Sequence, residues 1–111
     1  MNNIDRIFSK DPKKFADSYL NYLQSILNKI DTKEIAHFIE TLLSARKRKA
    51  TVFFIGNGGS AATASHFAND ISIGTNDYDE PFKAISLTDN VSILTAIGND
   101  FGYEEIFVRQ L

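Results

Sequence analysis

One stretch constrains this chain more than any other: Thr51-Val52-Phe53-Phe54-Ile55, followed without a break by Gly56-Asn57-Gly58-Gly59. An uninterrupted β-branched and aromatic run predicts a strand buried on both faces, the place of a central parallel strand. The glycines end it sharply, and Ser60 to Ile71, rich in small residues, reads as a helix. Strand, glycine loop and helix in that order make an α/β unit, around which the remaining elements have to pack.

Upstream the period is helical. Asp11 followed by Pro12 predicts an N-cap with proline at the first helical position, where its missing N–H costs nothing. Phe15, Tyr19, Tyr22, Leu23, Ile26, Leu27 and Ile30 then recur at three-and-four spacing along one face. Asp31 and Glu34 have the form of a capping box, and Ile35, Phe38, Ile39, Leu42 and Leu43 continue a second amphipathic helix. Arg46-Lys47-Arg48-Lys49 closes it, where positive charge offsets the helix dipole. A nucleic-acid patch is the sharper reading of that run, but four basic residues without interleaved aromatics favour the cap. Downstream, Gly74 to Pro81 is a polar, acidic loop expected to be solvated, and Phe82 to Leu87 is a second strand. Thr88-Asp89-Asn90 caps a helix over Val91 to Ile97, Gly98 to Gly102 is a turn, and Tyr103 to Leu111 is helical. The expected organisation is a helical hairpin over 1–50 and an α/β unit over 51–111. Two strands do not complete a stable doubly wound sheet, so further chain or another subunit is expected to cover these surfaces.

Composition narrows the functional classes. With 111 residues, 43% of them hydrophobic, the chain can build one core and no more than one domain. A net charge of −2 provides no field to draw nucleic acid or an anionic membrane surface. The polar N-terminus has no apolar segment of the secretory kind, and no apolar run approaches the roughly 20 residues of a membrane span. The absence of cysteine removes thiol nucleophiles, thiolate metal sites and disulfides, and makes the cytoplasm the expected compartment.

The chemistry is expected around the glycine loop. A glycine-rich turn from a buried strand into a helix leaves backbone N–H groups at the positive end of the helix dipole, where a phosphate or sugar oxygen fits. Gly56, Gly58 and Gly59 allow the turn, and Asn57 and the N-cap hydroxyl of Ser60 add side-chain hydrogen bonds; Thr63, one turn on, reads as plain helix surface. A tight turn without any ligand remains open as an alternative. Gly56, Gly58 and Ala61 also match G-x-G-x-x-A, but no acidic residue ends the next strand at the distance a dinucleotide site needs, because Asp77, Asp79 and Glu80 come too early and Asp89 too late. His66 and Asp70, at i and i+4, share a helix face, either as a metal or proton-transfer pair or as a surface hydrogen bond. His37, among apolar residues, reads as packing or solvent. Asp89 and Asp100 follow short elements at the carboxyl edge of the sheet, where open α/β folds bind ligands, and both also suit capping or turn positions.

Taken together, Phe54 to Ala62, His66-Phe67-Ala68 and Leu94 to Tyr103 resemble the phosphoheptose isomerase family of sugar isomerase (SIS) domain proteins. The resemblance covers nearly the whole chain and implies the first half of a flavodoxin-like doubly wound parallel sheet, preceded by two helices that pack between subunits of a homotetramer. It implies an aldose–ketose isomerisation of sedoheptulose 7-phosphate to D-glycero-D-manno-heptose 7-phosphate, for lipopolysaccharide or surface-glycan heptose. Asn57, Gly58, Gly59, Ser60 and Asp100 would bind the substrate, and His66 would be a zinc ligand. Position 70, where the family has a glutamate that binds zinc and serves as acid/base, is Asp70.

The shorter carboxylate loses one methylene of reach, and a displacement of about 1 Å can cost a hundredfold in rate. Ile73 and Gly74 occupy the stretch where the family places an arginine. The family's Ser/Thr-rich phosphate loop and its remaining zinc ligands, a glutamine and a histidine, would lie beyond Leu111, so the expectation is a truncated chain that does not catalyse alone. The alternative is a non-catalytic SIS-type protein that binds a phosphosugar or acts as an adaptor.

Overall fold

The computed structural model describes residues 3–111, which divide into two compact units, the first running through His37 and the second from Phe38 to Leu111. In the first unit, a short helix α1 (Asn3–Ile7) precedes α2 (Pro12–Leu27). The Asp11 carboxylate accepts the amides of Lys13 at 2.9 Å and Lys14 at 3.3 Å, so α2 starts where Asp11-Pro12 predicts. Phe8 packs its ring 5.7 Å from that of Phe15 across the α1–α2 turn. The next helix, α3 (Thr32–Lys47), runs across the boundary between the units, and the Asp31 carboxylate accepts the Lys33 amide at 2.9 Å. Neither α2 nor α3 has a buried residue.

The second unit is built on two parallel strands, β1 (Thr51–Phe54) and β2 (Lys83–Ser86), joined by α4 (Gly59–Gly74). Val52 pairs with Ala84, and Phe53 with Ile85. Val52 and Phe54 are half-buried, and the Phe54 ring meets Phe67 of α4 edge-on at 5.0 Å. The expectation that β1 is buried on both faces is not met. Exposure alternates along the strand, and Phe53 and Ile85, neighbours on one face, are 45% and 49% exposed, because α4 covers the other face only. The core is correspondingly small: among the described residues Ala64, Ala68, Leu87 and Ile106 are the buried apolar ones, with Thr88 beside them.

Three boundaries differ from the periodic reading. Gly58, at φ 55°, is the N-cap of α4, so Ser60 sits inside the first turn and its hydroxyl is not a cap. Helix α5 (Val91–Asp100) starts as expected, with the Asn90 side chain accepting the Ile93 amide at 3.0 Å, but continues through Gly98, Asn99 and Asp100 in place of a turn there. After Gly102, at φ 106°, the chain forms two 3₁₀ turns, Tyr103–Glu105 and Val108–Gln110, rather than one helix. Tertiary bonds override the local pattern: Ile106 is buried, and the Gln110 amide group donates to the Leu87 carbonyl at 3.1 Å and the Ile106 carbonyl at 2.6 Å. The basic run is a helix end with an added role, since the Arg46 guanidinium donates to the Glu80 carbonyl and lies 5.9 Å from the Tyr78 ring and 5.4 Å from that of Phe82, tying down the acidic loop.

Gly56 is held by a closer constraint. A Cβ at this position would overlap the backbone carbonyl of Ser60, whereas one at Gly98 would meet only the Ile106 Cγ2 at 3.7 Å. Gly56→Ala is therefore expected to destabilise the protein by about 1–3 kcal/mol through overpacking against an immovable helix backbone. Gly98→Ala, in a helix interior with room for a methyl group, is expected to be neutral or stabilising by up to about 1 kcal/mol. Urea denaturation of the two variants checks both, and equal effects would remove the contact as the cause.

Candidate functional site

Both strands end on the same edge of the sheet, and in parallel α/β structures that edge is where ligands bind. After β1 the chain turns through Ile55 to Gly58 directly into α4, with the Ser60 amide donating to the Asn57 carbonyl at 3.0 Å and the Ala61 amide to the Gly58 carbonyl at 3.1 Å. Among the described residues no side chain caps this helix, so its N-terminus keeps the amide donors and positive dipole end that attract an oxyanion or a sugar oxygen.

Two concavities flank this helix end. On one side a cleft of about 380 Å³ lies between Gly56, Asn57, Gly58 and Ala61 on one wall and Leu94, Thr95 and Gly98 of α5 on the other, with Thr88, Tyr103 and Ile106 completing it. On the other, a groove of about 450 Å³ is lined by Ser60, Thr63, Ala64 and Phe67 of α4 together with Phe38, Phe54 and Ile55. Asn57 and Gly58 therefore line the cleft and Ser60 the groove, while Gly59 begins the helix between them. Thr63, read as plain surface, faces the groove and donates its hydroxyl to the Gly59 carbonyl at 3.2 Å.

His66 and Asp70 come together as their spacing predicts, Nε2 to Oδ2 at 3.3 Å, and both side chains are more than half exposed. They line neither concavity. Among the described residues no group of three or more His, Cys, Asp or Glu side chains gathers where it could hold a metal ion. Asp100 closes α5, accepts the Asn99 side-chain amide at 2.8 Å and is not among the residues lining the cleft.

Sequence reasoning missed the polar centre of this region. Ser65, Ser86, Thr88 and Asp89 share a set of hydrogen bonds linking α4 to the end of β2. Asp89 is thus neither the N-cap of α5 nor unattached; it accepts the Ser65 hydroxyl. Hydroxyls at alternate positions ending a strand, Ser86 and Thr88, followed by an acid, are the signal that could have shown it.

The arrangement is that of an α/β domain with a glycine loop and an uncapped helix N-terminus at its strand ends. Residues 14–111 match the SIS domain family, and the chain belongs to that family. The phosphoheptose isomerase of Geotalea uraniireducens is 41% identical over 95 residues, which cover 86% of this chain and 50% of the relative. That of Helicobacter pylori is 38% identical over 112 residues, covering 97% and 54%. Among solved structures, the phosphoheptose isomerase GmhA from Neisseria gonorrhoeae superposes with a TM-score of 0.73 at 31% identity, over 88% of this chain and 51% of that one. The chain spans about half the length of the curated relatives it matches. Among the described residues no helix is long and apolar enough to cross a membrane.

Proposed function

We propose that the protein is a cytoplasmic, zinc-assisted phosphosugar isomerase of the phosphoheptose isomerase type, converting sedoheptulose 7-phosphate to D-glycero-D-manno-heptose 7-phosphate for lipopolysaccharide or surface-glycan heptose. The observation that carries this reading is the uncapped glycine-loop helix with His66 and Asp70 on its next turns, in a chain whose relatives are named phosphoheptose isomerases. The amides of the loop at Gly58 and Gly59, the Asn57 side chain and the Ser60 hydroxyl bind and orient the sugar phosphate, while Asp100, which lines neither concavity, is not brought to them.

The His66–Asp70 pair fits two ligands of a zinc ion. Imidazole nitrogen and carboxylate oxygen are both zinc donors, and the i, i+4 spacing holds Nε2 and Oδ2 3.3 Å apart on one helix face, so the two could share an ion. The remaining ligands come from outside the described residues, in keeping with a chain that spans about half of its relatives. Bound zinc supplies a Lewis acid for the sugar carbonyl. Asp70 removes a proton from C1 of the ketose and returns it to C2 of the enediol, while the C1 hydroxyl hydrogen passes to the C2 oxygen.

Once its remaining zinc ligands are supplied, the protein is expected to incorporate deuterium from D₂O into sedoheptulose 7-phosphate, read by proton NMR, whereas residues 1–111 by themselves are not. Asp70→Asn, or removal of metal with a chelator, is expected to slow the exchange by about a hundredfold or more. The shorter reach of Asp70 favours a second reading, a phosphosugar-binding or adaptor protein. Binding of the sugar phosphate with no exchange would overturn the isomerase in favour of that one.

The apolar stripe of α2, including Tyr19, Leu23, Ile26 and Leu27, has no buried residue and is assigned to contacts with further copies of the chain in a homotetramer. Light scattering is expected to give four times the chain mass, and a monomer at micromolar concentration would contradict the assignment.

A further inference from the structure

Thr88 is a hydroxyl residue buried in an otherwise apolar core, only 9% exposed, on the floor of the cleft. Burying a hydroxyl costs free energy unless its hydrogen bonds are made, and here they all are. Its Oγ1 lies 2.7 Å from the Ser86 hydroxyl, 3.0 Å from that of Ser65 and 3.3 Å from the Ala61 carbonyl. The Ser65 hydroxyl in turn reaches the Asp89 carboxylate, and also the Ala61 carbonyl at 3.0 Å.

Counting protons orders this network. Three hydroxyls have one proton each to donate, and two groups, the Asp89 carboxylate and the Ala61 carbonyl, can only accept. Each of the three protons has a place when Ser86 donates to Thr88, Thr88 donates to the Ala61 carbonyl, and Ser65 donates to Asp89, with the Ser65–Thr88 and Ser65–Ala61 approaches left as secondary contacts. The bond to the carboxylate is charge-assisted and the strongest of the set, so it decides where the Ser65 proton points. Without that charge, the Ser65 proton turns back to the Ala61 carbonyl and competes there with Thr88.

Ala61 belongs to the glycine-loop wall of the cleft, and Thr88 and Asp89 lead into α5, which forms the opposite wall. We propose that Thr88, with its donor direction set by Ser65 and Asp89, is a positioning residue that holds the glycine-loop wall at a fixed distance from α5 for sugar-phosphate binding. The binding role rests on the function proposed above; the positioning itself does not.

Two substitutions at Thr88 separate hydroxyl from packing. Thr88→Val keeps the volume and loses the donor, whereas Thr88→Ser keeps the donor and loses a methyl group. In amide NMR spectra of the ligand-free protein, Thr88→Val and Asp89→Asn are expected to move the Gly58 and Ala61 resonances, and Thr88→Ser to leave them near their original positions. Titration with sedoheptulose 7-phosphate is expected to show affinity about tenfold weaker for Thr88→Val and within about twofold for Thr88→Ser. The reverse order, with serine the more disruptive, would make Thr88 a packing residue and overturn the proposal, as would loop resonances unmoved by Thr88→Val and Asp89→Asn. Wild-type protein that ignores the sugar phosphate while its loop resonances respond as described would defeat the proposed function and leave the positioning supported.

Discussion

The fold of the second unit depends on how closely α4 approaches the end of β1. Gly56 lies against the Ser60 backbone with no room for a Cβ, and Gly58 takes a positive φ, so the chain reverses from strand to helix within the four residues Ile55 to Gly58. That tight reversal places the α4 N-terminus at the strand ends, packs Phe67 against Phe54, and brings Ala61 and Ser65 within bonding distance of Thr88. A longer turn would lose the cleft and the hydroxyl network together.

Much of this was legible in the sequence because local chemistry and tertiary structure agree. Asp11-Pro12 starts α2, Asn90 caps α5, and the glycine run ends β1, each at or next to its expected position. The i, i+4 spacing alone brings His66 to Asp70. The failures occur where distant contacts decide. Buried Ile106 and the bonds from Gln110 break the last segment into 3₁₀ turns, and the Ser65–Thr88–Asp89 set joins residues more than twenty positions apart that no periodicity connects. The reading of β1 as doubly buried followed from its composition; its second face, Phe53 beside Ile85, is apolar but uncovered.

That open face, the stripe on α2 and the two-ligand His66–Asp70 pair share one character. All three are exposed, and the zinc and the further copies of the chain proposed for them would meet them from outside the described residues. A chain spanning about half the length of its SIS-domain relatives has the residues that turn the strand into the helix and begin the site, and the proposed chemistry draws on more than these.

The proposed function turns on the glycine loop receiving a sugar phosphate. The most direct test is an amide NMR titration of the protein with sedoheptulose 7-phosphate. Saturable shifts centred on Asn57 to Ser60, absent with the unphosphorylated sugar at the same concentration, are the predicted result. Shifts confined to other regions, or none at millimolar ligand, would contradict it.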